Sequence, residues 1–229
     1  ILGHSQDRES GGFAIGSRAK DGGGRHSEVV PCLTGNMVYA LSRLGYGEDP
    51  RLEPAIEWIC RYQRADDGAG KPPPEWPYVP FEMCFGRHSC FMGVAKSLKA
   101  LAAIPPPRRN EAVQAKLAEL VEFVLVHHVH KKSHDLETTS KPGWLKLGFP
   151  LMYQTDALEL LCLLADLGIS DKRMEEALSA VEAKRGKEGR WRLENSFNGK
   201  TIVDIEKKGG DSKWITARAL YALGPRHGP

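Results

Sequence analysis

The sequence predicts an all-α protein of repeated helical hairpins joined by long glycine-rich loops, and three observations carry that prediction. The stretches "LSRLGYGEDPRLEPAIEW" (Leu41–Trp58) and "LLADLGISDKRMEEALSA" (Leu163–Ala180) align at Gly45 with Gly168, Asp49 with Asp171, Arg51 with Arg173, and Glu53 with Glu175. Val113, Leu117, Leu120, Val121, Val124 and Leu125 form an apolar stripe at the helical period. Period-two alternation is nearly absent, with "TIVDIE" (Thr201–Glu206) the one short β-like piece.

Each aligned stretch reads as helix, glycine stop, aspartate N-cap and second helix. Glycine after the last apolar turn supplies the left-handed C-cap, and aspartate accepts from the free N–H groups of the next helix. Pro50 suits a first-turn position. Residues 1–30 read as an N-terminal repeat loop, followed by hairpins at about 31–63, 88–130 and 154–184 and a final helix at 213–224. In the middle hairpin Pro105-Pro106-Pro107 replaces the Gly–Asp turn. The period, roughly 55 to 65 residues, belongs to stacked arrays or closed rings and makes the whole chain one domain. The loops "QDRESGGF" (Gln6–Phe13), "QRADDGAG" (Gln63–Gly70) and "KRGKEGRW" (Lys184–Trp191) share a polar run followed by glycine. "PPPEWPYVP" (Pro72–Pro80) reads as an extended polyproline spacer.

Composition narrows the function. The chain has 229 residues, 41% hydrophobic and 27% charged, with a net charge of +3. Lys and Arg are interspersed with Asp and Glu, which argues against a nucleic-acid groove or a polybasic membrane anchor. No apolar run approaches the ~20 residues of a membrane span. Five cysteines at irregular spacing argue for reduced thiols and a cytoplasmic location. Ile1 in place of an initiator Met is expected of a fragment or a processed product.

The Gln/Lys-led glycine loop followed by "TGNMVYALSRLG", "TDALELLCLLADLG" or "ITARALYALG" resembles the repeat of the prenyltransferase/squalene-cyclase family. That resemblance implies an α/α toroid whose inner helices follow the glycine-rich loops. It also implies an isoprenoid or similar apolar ligand in a central cavity. Fewer helices than a complete ring imply a partial barrel, or one completed by a homo-oligomer or a second subunit. The Asp-x-Asp-Asp acid of the cyclases is absent, Asp66-Asp67 being the nearest candidate, and so is the Asp-x-Cys zinc pattern of the prenyltransferase β subunits.

Superposing the repeats puts Cys32, Ser89/Cys90, Thr155/Asp156 and Asp211/Ser212 at equivalent inner-helix starts, where the helix dipole lowers a thiol pKa. Cys90, Asp156 and Asp211 are therefore catalytic candidates, and Asp204 joins them from the acidic loop "DIEKKGGDSKW" (Asp204–Trp214), which could supply a general acid. Cys84, His88 and Cys90, with His130 and His134 on one face of a continuing helix, form a candidate zinc set. Trp76, Phe149, Tyr153, Trp191 and Trp214 are candidate walls for an apolar ligand. A non-catalytic binding or scaffold protein with at most a structural zinc, and a turn that only feeds a helix at "MCFGRHSCFMG", stand as the alternatives.

Overall fold

The computed structural model describes residues 1–18, 22–68, 70–79 and 81–224. Ala69 of the second glycine loop and Pro80 of the proline-rich loop lie outside the described residues. Two compact units divide the chain, Ile1–Val121 and Glu122–Pro229.

The first unit contains α1 (Leu2–Ser5), α2 (Pro31–Leu41), α3 (Glu53–Tyr62), α4 (Glu82–Phe85), α5 (Phe91–Ala102) and the first part of α6 (Glu111–Val126). Pro31 opens α2, where its missing N–H and fixed φ fit the first turn. α2 lies directly on α5 because Gly35 has no side chain. A Cβ there would stand 2.4 Å from the backbone C and O of Lys96. α3 buries Ala55, Ile56, Trp58 and Ile59 and turns its charged face outward.

The second unit contains the end of α6, then α7 (Ala157–Asp166), α8 (Glu175–Glu182) and α9 (Lys213–Leu223). Asp156 caps α7 by accepting from Glu159 N, and Ser212 caps α9 by accepting from Ile215 N. α7 is buried along Ala157–Leu164 and packs against α9 and α8, which also touch each other.

The all-α toroid is corrected here. Among the described residues the helices are accompanied by two small antiparallel sheets. β1 (Lys131–Lys132) pairs with β2 (Asp135–Thr139), and β3 (Trp191–Arg192) pairs with β4 (Asp211–Ser212). Backbone pairing alone defines these strands, which are too short or too polar to leave an alternating pattern. "TIVDIE" is not a strand; it forms the loop between β3 and β4.

The glycine stops have the expected left-handed backbone, with φ 92° at Gly45 and 70° at Gly168. Asp171 meets the cap reading: it is the N-cap of the 3-10 turn Lys172–Met174 that leads into α8, accepting from the backbone N–H and the guanidinium of Arg173. Asp49 differs, closing a turn ahead of α3 by accepting from the backbone N–H and the guanidinium of Arg51. Pro50 likewise lies in the turn before α3, and the proline in that helix's first turn is Pro54.

Candidate functional site

The first unit gathers its polar chemistry ahead of α2. Residues 5–7 fold back antiparallel on 12–14 through the bridge Gln6↔Phe13, residues 14–17 run antiparallel to 24–29 through Ala14↔Val29 and Ser17↔Gly24, and Gly24 N donates to Gln6 O at 2.8 Å. Gly24 permits this approach, since a Cβ there would meet Ser5 O at 2.4 Å. Gln6 Nε2 closes the loop onto Gly11 O and Arg51 O. Thr34 of α2 accepts from Phe13 N. The consequence is that Asp7, with 0% exposure, faces His26.

Asp7 Oδ2 lies 2.7 Å from His26 Nδ1 and accepts from Ser10 Oγ at 2.6 Å and Ser10 N at 3.0 Å. Among the described residues Asp7 Oδ1 has no hydrogen-bond partner; the guanidinium of Arg18 is 3.9 Å away. Burial pushes the carboxyl upward, but the Ser10 and His26 hydrogen bonds outweigh it and hold it below its ordinary value. The His26 ring is stacked on Trp76 with centroids 4.0 Å apart, and Trp76 Nε1 donates to His26 O. Tyr62 meets Trp76 edge-on at 5.2 Å. Asp7 also borders a cleft of about 530 Å³ that includes Ser10, Arg51, Glu57, Trp58 and Tyr62.

"MCFGRHSCFMG" folds against the second glycine loop. Gly68 N donates to Arg87 O, Ser89 N to Asp66 O, and Arg64 Nη1 to Phe85 O. His88 Nδ1 lies 3.3 Å from Asp67 Oδ1, a more open pairing whose imidazole side chain is 60% exposed. Cys90 is the N-cap of α5, and its N–H donates to Cys84 O. Cys32 contradicts the expectation of a thiol lowered by the helix start. Burial, and then the neighbouring Cys90, push it above its ordinary value. Desolvation outweighs the dipole there.

The candidate zinc set divides between the units, Cys84, His88 and Cys90 in the first and His130 and His134 in the second. The shared helical face of His130 and His134 is corrected. α6 ends at Val126, and the chain turns through His128 (φ 43°) and Val129 (φ 70°) into the β1–β2 hairpin. His130 is buried with Nδ1 on His128 O at 3.0 Å, and burial lowers its pKa. His134 lies in the exposed turn. Among the described residues no group of three or more His, Cys, Asp or Glu gathers as a metal site.

In the second unit Asp156 is 1% exposed and accepts from Glu159 N and Gly148 N, both at 2.8 Å. Burial raises its pKa to about 6, against the opposing charge of Arg218. The other two acids are not gathered around it by any hydrogen bond: Asp204 accepts from Gly199 N within its loop, and Asp211 stands opposite Arg192 in the β3–β4 pair. Trp191 is fully buried, donating from Nε1 to Val181 O and from its backbone N–H to Thr216 Oγ1. It fastens α8, β3 and α9 together. Phe149 and Trp214 stack at 4.9 Å, and Tyr153 is exposed.

Of the sequence candidates, Trp76 is therefore joined to a polar centre, while Asp7 and His26 were not among them. Their one signal is an aspartate inside a glycine loop and a histidine ahead of a proline-started helix. Among the described residues no helix is long and apolar enough to cross a membrane. No protein-family model matches the chain, and no curated protein is significantly similar to it.

Proposed function

We propose that the first unit carries an acid–base site in which His26, oriented by Asp7, exchanges a proton with a ligand whose apolar body lies beside Trp76. The supporting observation is the 2.7 Å contact between His26 Nδ1 and a carboxylate with no exposed surface. With Nδ1 donating to Asp7, the lone pair is on Nε2, and Nε2 is the atom that takes up the ligand's proton. The carboxylate fixes the ring's tautomer and stabilises the imidazolium that forms. Trp76 holds the ring from its stacked face, and Tyr62 adds a second aromatic edge for an apolar ligand.

The test is a substrate screen over esters, thioesters, phosphoesters and allylic compounds, run in parallel on the wild type and two variants. His26→Gln should lower any turnover found by about 10²–10⁴-fold. Asp7→Asn should lower it comparably, because an amide that donates to Nδ1 forces the wrong tautomer. Turnover unchanged in His26→Gln would overturn the reading.

A further inference from the structure

β3 and β4 are the ends of a hairpin whose connecting loop turns aliphatic side chains into solvent. Ile202 is 104% exposed, Val203 67% and Ile205 48%. The loop is nevertheless internally bonded. Asn198 Nδ2 donates to Glu206 O at 2.8 Å, Gly199 N to Asp204 Oδ1 at 2.8 Å, and Thr201 Oγ1 to Val203 O at 3.0 Å. Glu206 Oε1 accepts from Lys213 N. The two carboxylates nearest the tip, Asp204 and Glu206, therefore serve backbone N–H groups while the aliphatic groups face water, the reverse of an ordinary surface turn.

Cations surround that tip. Lys200 precedes it and Lys207 and Lys208 follow, all exposed. Lys208 also borders a cleft of about 810 Å³ along the hairpin's base, with Lys187, Arg190 and Arg192. None of these four has an ion pair among the described residues. Just beyond β4, Trp214 is stacked on Phe149 yet 43% exposed, with the Lys213 ammonium 5.7 Å from its ring.

We infer that this hairpin docks the protein onto an anionic lipid surface, with Ile202 and Val203 entering the boundary between headgroups and acyl chains. The lysines and arginines of the hairpin take the negative lipid headgroups. The aliphatic groups of the tip stand clear of the chain, as insertion into a fluid interface requires. Cations on both sides of the tip match a plane of negative charge. A Trp at the base, aromatic on one side and wet on the other, suits the same interface. This inference is independent of the acid–base site.

The experiment is co-sedimentation of the whole chain with vesicles of phosphatidylcholine alone or with about 30% phosphatidylserine. The wild type should pellet with the anionic vesicles and not with the neutral ones, and less so as salt is raised. The double variant Ile202→Asp/Val203→Asp should lower partitioning at least about tenfold, and Lys207→Glu/Lys208→Glu should lower it as well. All four side chains are in solvent, so circular dichroism and Tm should stay unchanged. Failure of the wild type to pellet, or equal pelleting of the Ile202/Val203 variant, overturns the inference. So does a wild-type dimer in gel filtration that this variant converts to monomer, because the tip would then pack on a second copy.

Discussion

Asp7 in the first unit and Asp156 in the second are both withdrawn from solvent, at 0% and 1% exposure, yet their carboxyl groups move in opposite directions. Asp7 gains a hydroxyl, a backbone N–H and an imidazole on one oxygen, and it stays ionised well into acid. Asp156 gains two backbone N–H groups and the nearby charge of Arg218, and burial still lifts it to about 6. Burial alone therefore does not set the state of a carboxylate; the donors that accompany it do. A carboxylate kept negative can orient a histidine. One lifted to about 6 is a capped helix start that carries a desolvation cost at neutral pH.

The largest effect that would break this comparison is on stability. Asp7→Ala leaves Ser10 and His26 without their acceptor in a closed setting and should cost about 3 kcal/mol. Asp156→Asn keeps an acceptor for one N–H and removes a charge from the interior, while Arg218 retains the neighbouring charge of Glu159. It should cost no more than about 1 kcal/mol at neutral pH. Urea midpoints of the two variants measure the difference. Equal losses would mean that Asp156 is stabilised as an anion as fully as Asp7.

The pH dependence separates the two carboxylates by sign. Asp156 has a folded pKa of about 6, above the ordinary value of 3.8. Its contribution to stability is complete below the unfolded pKa and is lost as pH rises through the folded value, a change of about 3 kcal/mol. Asp7 is depressed, so its contribution is present above its unfolded pKa and is lost as pH falls through its folded value. In Asp156→Asn, the decline of stability between pH 4 and 6 should flatten. In Asp7→Asn, the loss on further acidification should flatten instead. Urea unfolding across that range reads both slopes, and a wild-type slope retained in either variant would assign it to another group.

The two units also differ in how much of them was legible in the sequence. The Gly45 and Gly168 stops and the Asp–Arg turns are local, made by residues within a few positions of one another, so alignment alone exposes them. Asp7 and His26 are 19 residues apart and meet only through pairing of two glycine-rich segments. Nothing in their spacing announces that contact. The β3–β4 pair hides for a related reason: two-residue strands carry no alternation. "TIVDIE" alternates well enough but has no partner strand, so its aliphatic groups end in solvent. His130 and His134 show the opposite case: their i, i+4 spacing suits a helix, but the chain leaves the helix at Val126 and they share no helical face.

The smallest effect sharpens the comparison at its most similar point. Asp49 and Asp171 are both held at about 2 by the arginine two residues on, through the same side-chain and backbone hydrogen bonds. Only Arg173 reaches further, donating to both carboxylate oxygens of Glu122 at 2.7 and 3.1 Å. Among the described residues the Arg51 guanidinium donates to Asp49 alone. Arg173→Ala should therefore cost about 0.5 kcal/mol, the scale of an exposed charge network, and Arg51→Ala should cost less. Added salt should shrink the Arg173 effect, because both of its partners are close to solvent. If the two substitutions cost the same in a urea titration, the extra reach to Glu122 contributes nothing, and the two turns are equivalent in energy as well as in sequence.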